Sequence, residues 1–72
     1  MQVTEAFVKA VEMGAGDIRL AVNDCISELA KEDPPGGGNL IRRVLEEKRQ
    51  AADLLLGWAT RAREELKLPH RA

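Results

Sequence analysis

An all-α antiparallel helical hairpin is the fold this sequence predicts, and three observations carry the prediction. Two stretches of nearly equal length repeat apolar residues at spacings of three and four, and one Pro/Gly segment separates them. β-Branched residues never alternate over four or more positions, so no strand is expected. Composition agrees: of 72 residues, 44% are apolar and 32% charged, and the aromatics are Phe7 and Trp58 alone. Alanine, leucine, glutamate and arginine dominate, as in helical bundles.

The first helix is expected over about 4–32. The Thr4 hydroxyl can accept from a free backbone N–H of the opening turn and so cap it. Phe7, Val11, Gly14, Ile18, Val22, Cys25 and Leu29 then trace one helical face; Val3 extends it backward, and Val8, Ala15 and Ile26 widen it. Gly14 and Gly16 each weaken a helix by about 1 kcal/mol relative to alanine. They leave two readings, a continuous helix whose small residues admit a bulky group opposite, or a kink or break at 14–16.

Asp33-Pro34-Pro35-Gly36-Gly37-Gly38-Asn39 forms the loop, because two prolines cannot continue a helix and three glycines favour no regular structure. The second helix is expected over about 40–67, with Asn39 as N-cap. Its stripe reads Ile41, Leu45, Ala52, Leu55, Ala59, Ala62 and Leu66, flanked by Val44, Ala51 and Trp58. Pro69 ends it, and 68–72 reads as a loose tail. At about 1.5 Å per residue each helix is roughly 40 Å long, and equal length with a short loop implies antiparallel packing. Residues whose numbers sum to about 72 then face one another: Val11 and Ala62, Val22 and Ala51, Leu29 and Val44, with Gly14 against Trp58.

One domain spanning 1–72 lies below the size at which a single core is comfortably stable. The second helix is apolar over about half its circumference at ~100° per residue, more than one neighbour can cover. Leu40, Leu54 and Trp58 mark one edge of that arc and Leu56 the other, while Met13 and Leu20 lie off the first helix's stripe. Met13, Leu20, Leu40, Leu54 and Trp58 are therefore the predicted interface. A homodimer closing a four-helix bundle is the first expectation and a different protein partner the second. Arg42 with Glu46, Arg43 with Glu47, Arg49 with Asp53 and Arg61 with Glu65 sit four apart, as expected of an outer charged face.

Several function classes are disfavoured. A net charge of −1 gives no bulk attraction to nucleic acid or an anionic membrane, and the single cysteine, Cys25, forms no internal disulfide or two-cysteine metal motif. No signal-like start or membrane-length apolar run is present, so a cytoplasmic protein is expected. Cys25 on the apolar stripe reads as a buried structural thiol. Asp17, Asp24, Glu28, Glu32 and Asp33 read as a solvated face, with no Glu-x-x-His motif for a bundle metal site. Lys48 interrupts the second stripe across from Asn23 and Asp24, a polar layer able to fix register.

Gly37, Gly38 and Asn39 followed by Arg42 and Arg43 could hold a phosphate-bearing or nucleotide-like anion, since a helix N-terminus offers free N–H groups and arginines add planar donors. The segment is not a Walker A motif, lacking its lysine ending and preceding strand. Arg63 and His70, six residues between them, resemble the arginine–histidine motif of HEPN-type ribonucleases in spacing alone. Those domains are larger and Pro69 takes His70 off the helix, so no ribonuclease is expected. The first functional expectation is a non-enzymatic regulator, adaptor or inhibitor that binds a macromolecule and needs no cofactor. Small bundles of this kind are common among phage and bacterial regulators, an analogy of fold alone. The anion binder comes second. An RNA-binding bundle using Arg42, Arg49, Arg61 and Arg63 comes third, weakened by near-neutral charge and few aromatics.

Overall fold

The Thr4 hydroxyl accepts a hydrogen bond from the Phe7 N–H at 3.2 Å, and from this cap one unbroken helix runs the length of the molecule. In the computed structural model, which describes residues 3–32 and 34–69, α1 spans Glu5–Glu32 and α2 spans Asn39–Glu65. A tight 3-10 turn, Pro35–Gly38, joins them, and the two long helices pack antiparallel as a hairpin of 49 × 20 × 16 Å. Of the two readings of Gly14 and Gly16 the continuous helix is the one observed. Their predicted purpose is not: a Cβ built on Gly14 meets nothing within 4 Å, so the Trp58 indole does not fill that space.

The seam between the helices is built from small side chains. Val8, Ala15, Val22 and Leu29 of α1 recur every seven residues and are buried. Ala52, Ala59 and Ala62 of α2 are buried likewise, and Val8, Ala59 and Ala62 form one cluster with Val3 and Val11 packed against it. The predicted stripe holds at Val22 and Leu29 of α1 and at Ala52, Ala59 and Ala62 of α2, and is corrected at the start of α1. Phe7 and Gly14 are exposed, and their neighbours Val8 and Ala15 take the buried places. Bulk explains the shift, because a close helix pair accommodates alanine and valine while larger rings are displaced to its edge. There Phe7 and Trp58 meet edge to face, 5.9 Å between centroids at 88°.

Both ends of α2 also differ from expectation. Gly38, not Asn39, is the N-cap; Gly36, Gly37 and Gly38 all take positive φ (73°, 67° and 69°), and Asn39 is already helical. The chain turns too sharply for a side-chain cap, and Gly38 sits so close to Leu29 that a Cβ would lie 2.7 Å from its Cδ1. At the other end the Leu68 N–H donates to Arg63 O at 2.8 Å and the Lys67 N–H to Glu64 O at 3.2 Å. With Lys67 at φ 56° this is a Schellman stop. It ends the helix before Pro69 and ties down Leu68 and Pro69, predicted to be loose. Lys67 holds a left-handed conformation that glycine adopts freely, so Lys67→Gly is expected to stabilise the fold by about 1 kcal/mol. Chemical denaturation measures this directly; an unchanged or lowered midpoint contradicts the assignment.

Candidate functional site

Two flanks border the seam, and they differ in chemistry. On one, Arg63 is 5% exposed and Glu12 6%. The Arg63 Nε–H donates to Glu12 Oε2 at 2.9 Å and the Nη2–H to Oε1 at 2.6 Å, a two-pronged pair, while the Nη1–H donates to the Pro69 carbonyl at 2.8 Å. The hydrogen bond to Glu12 raises the Arg63 pKa above its ordinary value; burial opposes this, and the charges of Glu12 and Glu5 reinforce it. A raised arginine pKa contributes stability that is present below the ordinary value and fades only above it, so on the arginine side the pair survives ordinary alkaline conditions. Further along the same flank Arg19 pairs with Asp53 at 3.6 Å.

Sequence reasoning missed the Glu12–Arg63 pair and placed Arg63 among surface arginines able to touch RNA. That placement is corrected: a side chain committed to Glu12 and Pro69 presents no free guanidinium to a phosphate. The signal was present in the spacing, since Glu12 follows Val8 by four and precedes Ala15 by three, and Arg63 follows Ala59 by four. His70 lies outside the described residues. None of the four predicted i,i+4 arginine pairs closes; Arg49 instead meets Glu46 at 3.9 Å, and Arg42 turns to the loop.

The opposite flank carries apolar groups. Phe7 and Ile18 of α1 and Ile41, Val44, Leu55 and Trp58 of α2 remain at least one-third exposed. The Phe7–Trp58 contact shows that the two helices contribute to one side. Leu40 and Leu54, 71% and 76% exposed, follow its rim along α2. Two grooves open along it, one of about 350 Å³ over Val3, Trp58, Ala62 and Leu66 together with Arg61 and Glu65, and one of about 450 Å³ over Cys25, Leu29, Pro34 and Ile41 together with Asp24, Glu28 and Glu32. Cys25 is exposed, correcting its predicted burial, because the seam passes through Val22 and Leu29 and leaves the residue between them on the flank.

The five predicted interface residues thus fall on two surfaces. Leu40, Leu54 and Trp58 belong to the apolar flank. Met13 and Leu20, 66% and 64% exposed, lie on the outward side of α1, where with Arg19, Asn23 and Leu56 they line a groove of about 470 Å³.

At the hairpin turn, Gly37 and Asn39 are exposed and Gly38 is buried. The Arg42 Nε–H donates to the Gly37 carbonyl at 3.4 Å, so this arginine braces the loop, and Arg43 is exposed beside it. Lys48, Asn23 and Asp24 are all exposed, and no ion pair joins Lys48 to Asp24. Among the described residues no group of three His, Cys, Asp or Glu side chains could hold a metal, and no helix is long and apolar enough to cross a membrane. No family model matches the chain, and no curated protein or solved structure does.

Proposed function

We propose that this chain is a non-enzymatic interaction protein, a regulator, adaptor or inhibitor that acts by binding a macromolecular partner through the outward face of α1. The observation that supports this reading is the solvent exposure of Met13 and Leu20, an apolar pair standing apart from both the seam and the apolar flank. Large side chains gathered on an outward helical face are characteristic of binding surfaces. Their groove is edged by Asp17, Arg19 and Asn23, which gives the apolar centre and polar rim of a protein–protein contact.

Affinity capture of the tagged chain from its own cells, comparing the wild type with Met13→Glu/Leu20→Glu, tests the proposal. A stoichiometric macromolecule retained by the wild type and reduced at least tenfold by the variant is expected, since two charges in an apolar contact cost about 1.4 kcal/mol or more. Both positions are solvent-exposed, so the variant keeps its helical circular-dichroism spectrum. Equal retention by both proteins, or retention by neither, contradicts the reading.

A further inference from the structure

We propose that the apolar flank seats a second copy of this chain, with the two hairpin turns at opposite ends, to close a four-helix bundle. The inference rests on the reading above only in taking exposed apolar surface as binding surface.

Area is the first argument. A compact 7.9 kDa monomer presents about 4,400 Å² to solvent, whereas this hairpin presents 5610 Å². The excess, on the order of 1,200 Å², is more than the roughly 800 Å² that each partner contributes to a standard interface. Elongation is its cause, and a broad side measuring 49 × 20 Å is large enough to supply that contact. Laying two such sides together doubles the 16 Å dimension and gives the near-square section of a four-helix bundle.

Surface chemistry selects an identical flank as the occupant. The other side of the seam carries the two ion pairs that join the helices, Glu12–Arg63 and Arg19–Asp53, while the apolar side carries Phe7, Ile18, Ile41, Val44, Leu55 and Trp58. Its two grooves lie toward opposite ends of the hairpin, one near Val3 and Leu66 and one near Pro34. A two-fold axis across the long direction therefore lays each groove over the other's counterpart. Charge agrees with that orientation. Along the rim of α2, Glu47 and Arg61 lie seven residues either side of Leu54. A two-fold passing near Leu54 sets Glu47 of each copy beside Arg61 of the other, and the contact is isologous as a closed dimer requires.

Sedimentation equilibrium of the full chain at micromolar concentration, with two sets of variants, is the test. The wild type is expected at twice its 7.9 kDa chain mass. Ala51→Glu/Leu54→Glu, both at exposed positions, is expected to halve the mass while keeping helical circular dichroism. Met13→Glu/Leu20→Glu leaves the mass doubled. In a Cys25→Ser background, Leu54→Cys is expected to oxidise to a disulfide-linked dimer. A monomeric wild type overturns the proposal, as does a flank variant that is still dimeric; a dimer that does not cross-link through Leu54→Cys overturns the opposed orientation. A monomer that captures its partner through Met13 and Leu20 defeats this inference alone, and a dimer that captures nothing defeats the functional reading alone.

Discussion

Glu12→Ala is expected to lower the thermal unfolding midpoint by about 15 °C, because removing one member of a buried ion pair strands the other charge. The Arg63 guanidinium would keep one hydrogen-bond acceptor, the Pro69 carbonyl, and little solvent, being 5% exposed. In so short a chain that loss can abolish folding altogether. The double variant Glu12→Leu/Arg63→Leu keeps the test decisive: with both charges gone and apolar groups in their place, stability is expected to return to the wild-type value or exceed it. Circular-dichroism melts of the three proteins at one fixed concentration measure this. A Glu12→Ala midpoint within a few degrees of wild type, or a double variant as unstable as the single, contradicts the account of the pair. The pair is also expected to fix alignment. It joins residues 51 positions apart in a bidentate geometry, whereas alanines and valines along the seam can slide past one another at small cost.

Gly38→Ala is the second large effect, an expected loss of about 2–3 kcal/mol from backbone strain together with displacement of Leu29. Gly36 provides the control. Its φ of 73° resembles the 69° of Gly38, but a Cβ there meets nothing within 4 Å, whereas at Gly38 it lies 2.7 Å from Leu29. Gly36→Ala should therefore carry only the conformational cost, about 1 kcal/mol. Urea unfolding of both variants separates the two contributions. Equal losses would mean that Gly38 is required for its φ alone and that its packing on Leu29 does not matter.

The hairpin was legible in the sequence because its largest signals are local. Thr4 stands where a cap is needed, Pro34 and Pro35 stop a helix by sterics alone, and equal helix lengths leave antiparallel packing as the simple outcome. The predicted alignment was also close: Arg19 meets Asp53, numbers that sum to 72, and Glu12 meets Arg63 within three of that. Where the seam runs was harder to read. On α2 the predicted stripe already held Ala52, Ala59 and Ala62, which are buried, but on α1 Phe7 outweighs Val8 on any hydrophobic count. Close packing reverses that order, since the small residues fit between helices and the rings do not. Glu12 and Arg63 were hidden for a related reason: a charged residue alone reads as surface, and its burial depends on a partner 51 positions away. Asn39 was a sound cap by residue type, but the turn needs three left-handed residues in succession, which only Gly36-Gly37-Gly38 supplies.

The surfaces proposed for binding were partly legible. Leu40, Leu54, Trp58, Met13 and Leu20 are exposed as expected, but they divide between the seam's apolar side and a groove that Met13 and Leu20 share with Leu56 of α2. That division leaves two distinct exposed apolar surfaces, the ones proposed above for a second copy and for a different partner.

Native mass spectrometry of the protein isolated gently from its own cells tests that central claim most directly, because subunit number and bound molecules are read together. The account predicts a particle containing two chains of 7.9 kDa each together with the mass of a bound macromolecule. A bare single chain would contradict it, showing that neither the apolar flank nor the outward face of α1 is a binding surface.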